Sequence, residues 1–398
     1  MAIRVAWTRA EIVDAVEALF VHHAARLPDH RDARIVVKPN LNNDLVGLTG
    51  NSVDLRVLWA VLASLGRRGF TDVTVADGPN VGIDRRRINV AQRLKVDAVA
   101  RAHGARLVDL NRDPGREVPL TGGARVRVAT TVLDAECLIS LPKVKTHAWA
   151  VLSSALKNHI GVVVGQDKRR VHQALAPNIV ALHDAVRTHL VVLDGVVGME
   201  GNGPGDGDPF RLGIVAASDH PLLNDLAVCR LVDLPWPEVP CLPFALGRGW
   251  LTPAEVEAVG REVPTVYSIR RAPPLPRLAV LAEHRALRPV RRLARPLVHR
   301  PLLAQGLYRL GVLQDHYDLR DSTFSLVRRL AERCGSCHRC EDVCPEGRTR
   351  EQIGLEPGAC LDCLYCWLVC PHDALEVSGE AGSLARQIAR YRPILARI

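Results

Sequence analysis

The sequence predicts an α/β protein: a mostly parallel sheet with helices on both faces, followed by a small C-terminal α+β domain. Three observations carry this. Short apolar runs alternate with helical periodicities up to about residue 217, the pattern of a sheet covered on both sides. Beyond about residue 265, Pro273, Pro274, Pro276, Pro289, Pro296 and Pro301 break the chain into short pieces. The last quarter then repeats one four-cysteine run. The expected division is 1–265, an α/β domain with a substrate cleft; 266–329, a basic, Pro- and Arg-rich, partly helical connector; and 330–398, the cysteine-rich domain with a C-terminal helix.

The elements follow in order. Arg34-Ile35-Val36-Val37 reads as a short buried strand, and Leu55 to Leu65 as a helix ending near Gly66. Val73 to Ala76 is a second strand, residues 90 to 102 are helix-like, and Arg106 to Leu110 returns to strand. Glu136 to Leu141 and His189 to Leu193 are two more, and Leu212 to Ala217 adds a further one. The tail from Ser383 to Ile398 has the spacing of an amphipathic helix.

The two cysteine runs are Cys334, Cys337, Cys340, Cys344 and Cys360, Cys363, Cys366, Cys370, each followed by proline. Each reads C-x2-C-x2-C-x3-C-P, the run that ligates [4Fe–4S] clusters, with the fourth cysteine serving the other cluster. That rule assigns Cys334, Cys337, Cys340 and Cys370 to cluster A. It assigns Cys344, Cys360, Cys363 and Cys366 to cluster B. A zinc ribbon leaves the third cysteine and the C-x3-C-P ending unexplained. A disulfide framework needs an oxidising compartment, and the start MAIRVAWTRAEIV lacks a secretory h-region. Cys137, Cys229 and Cys241 stand alone among apolar residues and read as small buried hydrophobes. Residues 330 to 378 resemble a bacterial-type two-cluster ferredoxin, with a longer spacer from Pro345 to Ala359.

Hydrophobic residues make up 47% of 398, enough for a substantial core, and no apolar run is long enough to span a membrane. The expected location is the cytoplasm. The net charge is +9, and Arg270 to Arg300 contributes most of the excess, opposed only by Glu283. Such a stretch could dock an acidic protein, a nucleic acid or an anionic lipid. A solvated helical connector explains it more simply, and the lack of aromatic residues argues against nucleic-acid stacking.

In open α/β sheets, ligands bind beyond the carboxyl ends of the strands. Four predicted strands end in polar groups: Lys38-Pro39-Asn40, Asp77-Gly78, Lys143 to His147, and Asp194-Gly195. Together they predict one polar cleft. Lys38, Lys143, Lys145 and Lys157 supply positive charge for an anionic small molecule, with Asn40, Asp77, Asn158 and Asp194 beside them. The run from Asp194 to Gly205 is so rich in glycine that it reads as a loop whose backbone, at Gly201 and Gly203, could hold a phosphate or carboxylate. His147, His159 and Glu200 are the candidate proton carriers. Taken singly, either histidine reads as a helix cap or a core contact; the density of Lys, His and Asn points to function.

Residues 30 to 235 resemble domain-of-unknown-function family 362. The resemblance rests on Lys38-Pro39-Asn40, Leu141 to His147, Leu156-Lys157-Asn158 and Asp194 to Pro204, with Lys168 and His172 also fitting. One departure stands out: where that family usually continues into Ala-Val-Asp, this chain has Leu222-Leu223-Asn224-Asp225, which keeps an acid nearby and makes Asp225 a candidate only. The resemblance implies a fold and a site, and no particular reaction.

The expectation is an oxidoreductase in which two [4Fe–4S] clusters pass electrons to an anionic substrate in the α/β cleft, served by a redox donor protein. A homodimer is compatible with it. An electron carrier serving a separate partner, or a non-redox enzyme with structural clusters, are the alternatives.

Overall fold

A computed structural model describes residues 1–274, 317–354 and 360–397. Most of the basic stretch from Arg270 to Arg300, and the end of the Pro345–Ala359 spacer, lie outside the described residues. The strands are β1 (Ala2–Val5), β2 (Ile35–Lys38), β3 (Val73–Asp77), β4 (Arg106–Asp109), β5 (Gly115–Pro119), β6 (Arg125–Ala129), β7 (Cys137–Ser140), β8 (Lys143–His147), β9 (Val151–Ser153), β10 (Leu190–Glu200), β11 (Asp208–Ser218), β12 (Ser325–Arg329) and β13 (Leu375–Ser378).

The main sheet has nine strands, and its path runs β1-β11-β10-β7-β2-β3-β4. From β10 to β4 all neighbours are parallel; β11 runs antiparallel to β10, and β1 antiparallel to β11. This is the α/β architecture expected. Strands β2, β3 and β7 are buried along their whole length, as strands covered on both faces must be. Their parallel register aligns the carboxyl ends of β2 and β3, with Val37 opposite Val75, and of β2 and β7, with Lys38 opposite Ser140.

Each face of the sheet carries its own core. On one face lie α1 (Arg9–His22) and α2 (Leu55–Arg67). Thr8 and Glu11 form a reciprocal capping box at the start of α1, and the Asp54 carboxylate accepts from the Arg56 N–H to cap α2. Leu55, Leu58, Leu62 and Leu65 fall on one stripe of α2 and are buried, each contributing about 1.5–3 kcal/mol of transfer free energy. The same core takes in Leu326, Val343, Tyr365, Trp367, Leu368, Leu375 and Leu395 from the C-terminal region. The opposite face is covered by helices Leu175–Ala185, Pro221–Leu231 and Cys241–Leu246.

Four local expectations are revised. Residues 90–102 are two helices, Val90–Arg93 and Val96–Ala102, because Lys95 adopts a left-handed conformation between them. Lys143–His147, expected as polar groups beyond the end of a strand, is itself a buried strand, β8, pairing with both β10 and β9. The glycine-rich run from Asp194 is strand as far as Glu200, and only Gly201–Gly207 forms the turn into β11. The glycines serve close packing: a Cβ on Gly198 would overlap the Phe210 ring, and one on Gly195 would sit 2.9 Å from the Ile214 carbonyl. Finally, β12 pairs with β13 from Ser325 onward, so the C-terminal unit already includes residues assigned to the connector. The C-terminal helix lies at Ala385–Leu395, as its periodicity predicts.

Candidate functional site

The carboxyl ends of β2, β3 and β7 meet Asp194, midway along β10, and the lysines of β8 in a buried polar network. Lys38 ends β2 and is fully buried; its Nζ lies 2.7 Å from Asp77 Oδ1 at the end of β3. Lys38 also donates to Asn158 Oδ1 at 3.2 Å, and that oxygen accepts from Asn40 Nδ2 at 3.0 Å. Asn158 in turn donates to Ser140 Oγ at the end of β7. Asn40 Oδ1 accepts from Lys145 Nζ at 2.8 Å, and Lys145 also donates to the Asn51 carbonyl. The sheet register sets Lys143 beside Asp194, and their side chains pair at 2.8 Å with neither exposed. The second Asp194 oxygen accepts from the Asp54 N–H at 2.6 Å.

Burial dominates the electrostatics. Desolvation pulls the Lys38 ammonium below its usual pKa, with Asp77 partly restoring it. It raises the Asp194 carboxyl, which Lys143 opposes. A lysine that the strand ends did not single out joins the network. Lys168, on the short helix Lys168–Val171, donates to the Val163 carbonyl at 2.6 Å and to Asn111 Oδ1. Burial lowers its pKa from 10.5 to about 8, with Asp77, Asp84 and Asp109 partly opposing the shift. It is therefore a lysine able to exchange a proton near neutral pH. A Cβ on Gly78 would lie 2.8 Å from Lys168 Nζ, so the glycine after β3 lets the ammonium approach.

The other candidates occupy defined places. His147 Nδ1 accepts from the Trp149 and Ala150 N–H groups, which leaves Nε2 for any proton exchange. His159 Nε2 meets Thr188 Oγ1 at 3.0 Å, and its ring lies against His183 at 3.6 Å between centroids. Burial holds both imidazoles well below their usual pKa, so both are neutral at pH 7. Lys157 is half-buried, and its charge further disfavours protonated His147. Glu200 is outside the network: its carboxylate accepts from the Arg270 N–H at 2.9 Å and faces the guanidinium at 3.6 Å. Gly201 donates its N–H to the Arg270 carbonyl, and its own carbonyl accepts from Thr146. Gly203 packs against the Thr146 backbone where a Cβ would not fit. Asp225 accepts from the Ala155 and Leu156 N–H groups, fixing the turn that presents Lys157 and Asn158. Burial raises its carboxyl to about 6. An open depression lined by His183, Arg187, His189, His220 and Trp250 lies at the amino end of β10; of the candidates only His159 reaches it, through His183 and Thr188.

The eight C-terminal cysteines form two groups. Cys334, Cys337, Cys340 and Cys370 line one cavity. Cys344, Cys360, Cys363 and Cys366 line another. Each group mixes one run with the fourth cysteine of the other, because helices Arg339–Val343 and Tyr365–Val369 pack together and carry Cys344 and Cys370 across. Backbone N–H groups of Arg348, Asp362 and Ala374 point at the sulfurs of Cys344, Cys360 and Cys370, each at 3.4 Å. Burial raises the Cys344 and Cys360 thiols, and the Arg348 and Asp362 N–H groups partly oppose that shift. Among the described residues, no three His, Cys, Asp or Glu side chains converge on a single ion position. The four thiols round each cavity are the residues available to hold a metal centre there. Cys137, Cys229 and Cys241 are buried elsewhere, and burial raises all three thiols, to about 12 for Cys137 and Cys241.

The second cavity abuts the lysine network. Tyr365, between Cys363 and Cys366, is buried, and its hydroxyl accepts from the Leu55 N–H at 3.3 Å, next to Asp54. Arg56 forks onto Asp54 at 2.7 and 3.0 Å, and donates to the carbonyls of Trp7 and Asp342. The Val46 N–H donates to Gln387 Oε1 of the C-terminal helix. Asp54, Arg56 and Tyr365 thus join the candidate residues. The sequence reading singled out none of the three; an acid just before the helix at Leu55 was the signal for Asp54, and full burial of Arg56 had none.

Comparison with known proteins agrees with the resemblance. Residues 35–230 match the family described as "Domain of unknown function (DUF362)". "Thylakoid-associated protein sll1697" of Synechocystis sp. (strain ATCC 27184 / PCC 6803 / Kazusa) is 31% identical over 139 residues. The match covers 33% of this chain and 43% of that protein's length. Among solved structures, the lactate racemase apoprotein of Thermoanaerobacterium thermosaccharolyticum is 10% identical with a TM-score of 0.31, covering 55% of this chain and 54% of its own. No described helix is long and apolar enough to cross a membrane.

Proposed function

We propose that the protein is an iron–sulfur oxidoreductase: two [4Fe–4S] clusters, held by Cys334, Cys337, Cys340 and Cys370 and by Cys344, Cys360, Cys363 and Cys366, serve a DUF362 site that binds a small anionic substrate. The observation that carries it is the cysteine cavity carrying Tyr365, which abuts the Asp54–Asp194–Lys143 network. The clusters supply single electrons. The chain's own residues do the rest. Lys38 and Lys143 are neutralised internally by Asp77 and Asp194, so an incoming carboxylate or phosphate binds by taking over one of those partnerships. Lys168, with its pKa near 8, delivers or accepts the proton that accompanies reduction. Asn40 and Asn158 orient the ammonium groups, and burial excludes water, which strengthens each of these contacts.

Anaerobic reconstitution tests the reading. The expected result is about eight irons and eight sulfides per chain, with about half lost in Cys363→Ala and the other half in Cys340→Ala. Reduced protein should then be reoxidised by a fraction of a metabolite extract, and Lys168→Met should slow that step at least tenfold. Zinc in place of iron, or reduced clusters that no extract reoxidises, would sink it.

A further inference from the structure

The two cysteine cavities are not equivalent in their surroundings. The one carrying Cys363 and Cys366 faces inward: Leu326, Ile353 and Tyr365 in its lining belong to the core shared with α2, and Cys344 is buried. Arg9 reaches the carbonyl of Pro345, directly after Cys344. The other cavity faces outward. Cys337 is exposed, as are Ser336, His338 and His372 around it.

The outward rim is also basic. Arg329 and Arg333 pair with no carboxylate among the described residues, and Arg339 donates to the Ala396 carbonyl. The rim's acids are mostly engaged. Glu341 takes His338 at 3.1 Å and the Arg350 N–H at 2.6 Å. Glu376 takes Arg328 at 2.6 Å, and Glu351 lies 3.4 Å from Arg350. Asp373 pairs with Arg392, which leaves Glu332, among the described residues of the rim, to oppose the three arginines.

We propose that the outer cavity is the docking port for an acidic one-electron carrier protein, and that the inner cavity is the outlet to the lysine network. This rests on the reading of both cavities as [4Fe–4S] sites. One electron leaves the carrier's reduced centre and enters the outer cluster; the carrier is oxidised by one electron and the cluster reduced by one. No bond forms or breaks, and no proton is required. Exposed Cys337 gives the shortest approach, and the arginines steer a negatively charged surface onto it.

The test uses the full reconstituted chain, with reduced acidic flavodoxin as the carrier probe and dithionite as the small-molecule control. Cluster reduction is followed by absorbance in stopped flow, and association is measured separately by calorimetry. Reduction by flavodoxin should slow several-fold as salt is raised. Arg333→Glu should weaken association and lower the low-salt rate roughly 3- to 10-fold, with iron content and the dithionite rate unchanged. Arg329→Gln should act in the same direction. If both variants keep the wild-type flavodoxin rate, affinity and salt slope at full iron content, the port lies elsewhere. A wild-type protein that assembles no [4Fe–4S] cluster overturns the premise first, and is recognised before any carrier is added.

Discussion

Buried charge is the main feature at the scale of single residues. Lys38, Lys143, Lys145 and Lys168 are all within 1% of complete burial, a placement that desolvation penalises unless each is paired and hydrogen-bonded. Lys168 carries a measurable signature. Its pKa is about 8 in the fold against an ordinary 10.5, so between these values the unfolded chain holds a proton that the folded chain has released. This group's contribution to stability is therefore complete above pH 10.5 and lost as pH falls through 8, a swing of about 3 kcal/mol. Urea unfolding of the wild type and Lys168→Met should show the stability difference between them shifting in favour of the wild type by about 2–3 kcal/mol from pH 7.5 to pH 10.5. A difference that stays flat with pH counts against the shift. Lys38, Asn40, Asp77, Lys143 and Asp194 were legible in the sequence because each follows or ends a short apolar run. Lys168 was not legible in role. It comes from a single helical turn, and its path to Asn111 is set by packing rather than by any local pattern.

At the scale of elements, glycine was the source of the largest misreading. Gly195, Gly198 and Gly201 look like a ligand-holding loop in sequence, yet the first two lie in an eleven-residue strand. Composition alone cannot separate a glycine that frees the chain from one that lets neighbours come close. The strand exists because β11 offers a full antiparallel partner, from Ser218 opposite Val191 to Asp208 opposite Glu200. Gly198→Ala should therefore cost stability through overlap with Phe210, roughly 1–3 kcal/mol, visible as a lowered melting temperature. No change would mean that the Phe210 ring yields freely. The parallel strands β2, β3 and β7 were legible for the converse reason: doubly buried strands are near-continuous apolar runs. The N-terminal β1 and α1 were not picked out, since β1 is mostly exposed at the sheet edge.

The whole molecule is more unified than its sequence implies. Composition changes sharply at about residue 265 and again at the cysteine runs, which reads as separable domains. The fold instead places Tyr365, Trp367 and Leu395 in one core with α1 and α2. Tyr365→Ala should destabilise the entire chain by about 3–5 kcal/mol, whereas Tyr365→Phe, which loses only the contact with the Leu55 N–H, should cost about 1 kcal/mol. A single cooperative unfolding transition, read by both tryptophan fluorescence and far-UV circular dichroism, is the expected form. Two separated transitions would contradict a shared core. The bond between Leu55 and Tyr365 joins positions 310 residues apart. At ribosomal speeds of about 5–20 residues per second, Leu55 waits ~15–60 s before Tyr365 emerges. During that interval the part of the shared core that Tyr365, Trp367 and Leu368 complete is open to water, so a nascent chain stalled short of the second cysteine run should be a substrate for trigger-type holdases and prone to aggregate, while the finished chain is neither.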